Sequence, residues 1–164
     1  MAREVSSITR VGTSEPFELQ VARGQVAYHS GEHKFGAVPS MSVSTTGSVW
    51  DIDDTLYPWS SLTSAGTLTV DRASASDADK VITIVGLDAN YNQITENVTL
   101  TSASGNATTQ SFLRVYRAYM YNGSATNVGN IDVKISSTTI ARITAGKGQT
   151  LMAIYTVPAG YTAY

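Results

Sequence analysis

The chain has 164 residues, a formal net charge of −2, 42% hydrophobic residues and no cysteine. Such a length suits one domain with its own core, and the hydrophobic content argues against disorder. The scattered Lys and Arg exclude an electrostatic footprint for nucleic acid or an anionic membrane, and the missing cysteines exclude disulfides, thiolate metal sites and cysteine nucleophiles.

The first segment, "MAREVSSITRVGTSEPFELQ", carries charge but no long apolar run, so it does not read as a signal peptide. No stretch approaches the length of a membrane-spanning helix. Synthesis in a cytoplasm is the expectation. Residues 1–47 read as an extended N-terminal arm: "AYHSGEHKFGAVPSMSVSTTGS" is rich in Gly, Ser and isolated hydrophobes, without a strand-turn-strand rhythm. Within it only "FELQVA" (17–22) reads as a strand.

Residues 48–164 read as a β-domain. Runs of β-branched and aromatic residues predict strands at "SVWDI" (48–52), "TLTVD" (67–71), "VITIVGL" (81–87), "ITENVTLT" (94–101), "SFLRVYRAYMY" (111–121), "NIDVKIS" (130–136), "TIARIT" (139–144) and "LMAIYTV" (151–157). The turns between them are "ANYN", "SASGN", "NGS", "AGKG" and "PAG". No window holds a helical period. The fold class is therefore all-β, an antiparallel β-sandwich of jelly-roll or Ig-like type with an extended N-terminal arm.

Charged residues make up only 15% of the chain, while there are 19 serines and 21 threonines. A free-standing domain carries about 25% charge. Hydroxyls and amides must cover this surface, or partners must bury it; low charge suits a subunit of an assembly.

In "ITENVTLT", Glu96 falls on the apolar face with Ile94, Val98 and Leu100. A lone carboxylate there needs a partner or water. Asp88, Asn90, Asn92 and Glu96 are spaced like the start of a calcium loop. Such a loop, counted from Asp88, wants a glycine where Gln93 stands and a bidentate acid where Thr99 stands. Asn90 and Asn92 equally suit a hairpin turn, since Asn tolerates positive φ. The hairpin tip is the reading, with the quartet kept as the weak metal candidate.

His29, Glu32 and His33 in "HSGEH" match the H-x-x-E-H zinc pattern. That chemistry needs a helix, and Gly31, Gly36 and Pro39 oppose one. On extended chain, residues four apart lie roughly 13 Å from each other. Three sequons, at Asn97, Asn106 and Asn122, read as chance in so Ser/Thr-rich a chain. "GKGQT" (146–150) lacks P-loop spacing and reads as a turn. Trp50, Tyr57 and Trp59 could form a sugar-stacking platform, but core or intersubunit packing is the reading. No catalytic constellation, metal or cofactor is assigned.

"FELQVARGQV", "IVGLDANYNQITENVTLTSASGNATTQSFLRVYRAYM" and "MAIYTVPAGYTAY" resemble virion structural proteins of tailed bacteriophages, particularly those of marine cyanobacterial phages. The resemblance covers roughly residues 17–164. It implies a non-enzymatic decoration (cement) protein on the capsid surface, made in the host cytoplasm and bound to the major capsid protein. A homo-oligomer, with a trimer preferred, is implied, and neither nucleic acid nor membrane is a partner. A tail, baseplate or fibre component is the alternative, and a carbohydrate-binding module a further one. The candidate interface anchors are Phe17, Leu19, Phe35, Tyr161 and Tyr164.

Overall fold

The computed structural model describes residues 15–44, 46–52, 55–121 and 126–163. Tyr164, the Asn122 sequon and the "NGS" turn lie outside the described residues. The chain divides into two compact units, Met1–His33 and Lys34–Tyr164. Residues 34–44 and 46–47, read as arm, fall within the second unit.

In the first unit, "FELQVA" is a helix and not a strand: α1 spans Phe17–Ala22. Its first turn closes on Pro16, whose carbonyl accepts from Leu19 N at 3.1 Å and Gln20 N at 3.2 Å. Phe17 and Val21 suggested a strand, but Glu18, Leu19, Gln20 and Ala22 are good helix formers. Arg23 pairs with Glu15 across the helix. None of the helical residues is buried, so local bonds and capping hold α1 rather than an apolar face.

Among the described residues of the second unit, seven strands form two antiparallel sheets. They are β1 Gly66–Arg72, β2 Val81–Leu87, β3 Gln93–Thr99, β4 Asn106–Phe112, β5 Arg114–Met120, β6 Ile131–Ile135 and β7 Thr138–Ile143. One sheet has the order β4-β1-β6-β7, the other β3-β2-β5. Alternation explains the sandwich: Leu68, Val70, Ile131 and Val133 from the first sheet join Ile82, Ile84, Val115 and Ala118 from the second in one buried cluster. Each such aliphatic side chain contributes about 1.5–3 kcal/mol on burial. The second unit is a β-sandwich of four strands over three, and the chain is nearly all-β.

Two predicted strands are not strands. Residues 48–52 bend, and residues 151–157 run extended without a ladder. Single bonds hold them instead: Ala37 N donates to Leu151 O and Ala153 N to Val49 O, both at 2.8 Å. The long run 111–121 is broken at Leu113 into the end of β4 and the whole of β5, and β4 itself begins at Asn106, inside what read as turn.

β4 carries the irregularity that matters most. Its register with β1 slips between Thr67 and Thr69. At the slip, the Thr108 hydroxyl accepts Leu68 N at 2.8 Å and donates to Gln110 O at 2.9 Å. The side chain replaces the lost ladder partner, and the next two backbone N–H groups turn away from β1.

The outer faces of the two sheets differ. On the four-stranded sheet, Lys134 meets Asp71 at 2.7 Å and Arg142 forks onto Asp132 at 2.6 and 2.9 Å. Their mutual attraction lowers the Asp71 pKa and raises that of Lys134. On the three-stranded sheet the outward positions are Thr, Asn, Gln, Val and Tyr, with Arg117.

Buried polar groups pin the loops. Asp77, fully buried, accepts Lys80 Nζ and Val128 N on one oxygen and Gly129 N on the other, each at 2.8 Å. Burial pushes its pKa up, but these donors outweigh burial and the net shift is downward. Asn127, 1% exposed, donates to Gly129 O, Ile143 O and Thr144 O and accepts Gly148 N. Such satisfied networks fix one loop conformation.

Candidate docking surface

The "ANYN" stretch is a hairpin tip. Asp88 Oδ1 accepts Asn90 N and Asn92 N at 2.8 Å, and Oδ2 accepts Asn92 Nδ2 at 3.1 Å. These bonds, the Asn92 side chain's first among them, lower the Asp88 pKa. The positive φ falls on Tyr91, at 61°, and not on Asn90 or Asn92. Glu96 sits three residues up β3, paired with Ile84, roughly 10 Å along the strand from the tip. Its oxygens accept Thr109 N, Thr109 Oγ1 and Gln110 N from β4. The quartet therefore does not converge: three residues build the turn, and Glu96 ties one sheet to the other.

His29, Glu32 and His33 lie exposed on non-helical chain. The His29 ring meets Phe17 edge-on at 5.4 Å. The Asn106 amide is buried and donates to Val70 O and Ser102 O. "GKGQT" is a turn, with Gly146 and Gly148 at φ 74° and 70°.

Trp50 and Tyr57 are each only 3% exposed. Their rings meet at 5.0 Å, and Trp50 Nε1 donates to Thr55 O at 3.0 Å. Burial pushes the Tyr57 pKa up, partly offset by Arg114. Trp59 packs on Tyr57 at 4.6 Å and remains 45% exposed, with the Arg114 guanidinium 5.5 Å from its ring. Core packing holds for Trp50 and Tyr57, so no open three-ring platform exists.

The four described interface candidates are exposed: Phe17, Leu19, Phe35 and Tyr161. None spends its apolar surface in its own core. Met41 and Val43, which the sequence did not single out, are exposed too. Phe35, Met41 and Val43 lie on one segment, Lys34–Ser44, which bends at residues 39–40 and turns at residues 43–44.

That segment is anchored at its start. Lys34 Nζ donates to Tyr116 O at 2.8 Å and lies 4.5 Å and 5.3 Å from the Tyr116 and Tyr155 ring centres, which meet edge-on. A cation held by two aromatic faces and a carbonyl is well compensated for lost water. Gly36 follows where a Cβ would lie 2.6 Å from Val49 Cγ1 and 2.8 Å from Ala153 N. Only glycine lets the chain pass so close. Lys34 gave no signal in sequence because its partners lie far along the chain. Arg114 holds Leu62 O and Leu113 O through Nη1.

No protein family, curated protein or solved structure matches the chain.

Proposed function

We propose that the chain is a non-enzymatic virion structural protein of a tailed bacteriophage, decorating the outer face of the capsid and bridging major capsid subunits. It acts as a homo-oligomer, with a trimer the preferred arrangement, after synthesis in the host cytoplasm. One observation carries the reading. Residues 34–37 are clamped to the sandwich, while Phe35, Met41 and Val43 on the same segment expose their side chains. A clamped strap with free apolar side chains suits attachment to a neighbouring subunit.

Each copy needs only a modest affinity. Many small contacts add up over a shell, and an anchored arm raises the effective concentration of the second contact. With Phe17, Leu19, Phe35 and Tyr161 as anchors and few charges available, attachment should respond weakly to salt. The test strips the protein from purified particles and then heats or osmotically shocks them with and without it added back. Added protein should raise the temperature at which particles open. Equal robustness in both states, or a protein confined to tails, overturns the reading.

A further inference from the structure

We propose that the outer face of the β3-β2-β5 sheet binds an anionic polysaccharide. The inference is independent of the capsid reading and uses a different surface. Register places Asn97 beside Thr83 and Thr83 beside Tyr119, and a single bridge sets Gln149 beyond Tyr119. The row spans roughly 14 Å at ordinary strand spacing.

Hydrogen bonds within the row decide which groups remain for a ligand. The Thr83 hydroxyl donates to Asn97 Oδ1 at 2.8 Å, which engages one lone pair of that amide's acceptor. Arg117 Nη2 donates to Gln149 Oε1 at 3.2 Å, with the same result. The donors left over are two amide NH₂ groups and the rest of a guanidinium. Arg117 also stacks over the partly buried Tyr119 ring at 4.6 Å, which holds the cation against the sheet. No outward position of β2, β3 or β5 carries Asp or Glu. On the opposite sheet, by contrast, Lys134 and Arg142 are each paired with an acid.

A flat, donor-rich face with one cation and no acid complements a ligand rich in acceptors and carrying carboxylate or sulfate. Nucleic acid needs more cations than this face has. An acidic extended peptide would take its backbone bonds at a strand edge and not on a face. A sugar acid meets both requirements: ring and hydroxyl oxygens for the amides and a carboxylate for Arg117.

The test is affinity electrophoresis of the full chain at low salt in gels containing alginate, dextran or polyglutamate. Alginate should retard the protein, while dextran and polyglutamate should not. Arg117→Ala should weaken alginate binding about tenfold, with Asn97→Ala and Gln149→Ala smaller in effect. Lys134→Ala, on the opposite sheet, should leave it unchanged, and thermal melts should show every variant folded. The proposal is overturned by absence of retardation in alginate, by equal retardation of Arg117→Ala, or by polyglutamate binding as tightly as alginate.

Discussion

Glu96 of one sheet and Thr109 of the other are joined twice: Thr109 gives the carboxylate its backbone N–H at 2.7 Å and its hydroxyl at 2.9 Å. Gln110 N adds a third donor at 2.9 Å. The slip in β4 makes this possible, because two successive N–H groups form a small anion cradle. Burial raises the Glu96 pKa, but the Thr109 and Gln110 bonds outweigh it and the net shift is downward.

A depressed carboxylate pKa stabilises the fold above the group's ordinary value and loses that contribution as pH falls through the folded value. Glu96→Gln should therefore flatten acid sensitivity below about pH 4.3. Glu96→Ala should cost about 1–3 kcal/mol at neutral pH. Urea unfolding of both variants at neutral and acid pH checks this, and parallel pH profiles for wild type and Glu96→Gln would refute it.

Asp51 should behave in the opposite sense. It is 4% exposed, accepts Leu151 N and receives the Thr144 hydroxyl at 3.2 Å. Burial raises its pKa above the ordinary 3.8, against the pull of Leu151 and Thr144. A raised carboxylate pKa means that the folded state holds the proton more tightly, so this group's contribution grows as pH falls through its folded value. Asp51→Asn should leave stability at pH 7 unchanged or slightly higher and remove that gain on acidification. A marked loss at pH 7 would show that the charge itself is required.

Gly86→Ala should be severe. A Cβ there would lie 2.0 Å from Arg114 O and 2.9 Å from Phe112 Cδ1, where the β2–β5 register slips. The obstacle is backbone, which cannot swing aside, so about 3 kcal/mol or more should be lost. A melting temperature within two degrees or so of wild type would contradict the close approach.

Much of the fold was legible because hairpins announce themselves. β2 with β3, and β6 with β7, turn through polar tips, β3 and β6 alternate cleanly, and each strand agrees with its expected range to within two residues. β4 was hidden by its chemistry. "NATTQSF" is polar apart from Ala107 and Phe112, and only the structure shows Asn106 and Thr108 buried as hydrogen-bonding groups. "SVWDI" and "LMAIYTV" have strand composition, yet each finds only isolated backbone partners, a tertiary outcome that local propensity cannot report. At the candidate surface Phe35 is exposed, and the Lys34 clamp joins groups remote in sequence. Glu96 was correctly placed on the inner face, but its β4 partner was not foreseeable.

Lys34→Met tests that clamp. The variant keeps much of the apolar stem but loses the bond to Tyr116 O and both ring contacts, at a cost of about 1–2 kcal/mol. Amide exchange at Ala37 should accelerate, since its bond to Leu151 O is the next one along the strap. Unchanged exchange at Ala37 would show that Gly36 and Ala37 hold the strap alone.

Deleting residues 1–16 should leave the sandwich folded, because the second unit begins at Lys34. Attachment to particles should weaken. Circular dichroism and cosedimentation with stripped particles read the two effects separately, and loss of folding would mean that the deleted residues belong to the core.

The charge held between β3 and β4 also bears on how copies tolerate crowding. Open strand edges invite strands from other molecules, and an inward-facing charge is one of the devices that discourages it. Here one carboxylate guards two edges at once. An incoming strand would have to displace Glu96 from Thr109 and Gln110 and leave a charge without its donors. Molecules packed at high density can thus touch side by side without templating fibrils at this seam.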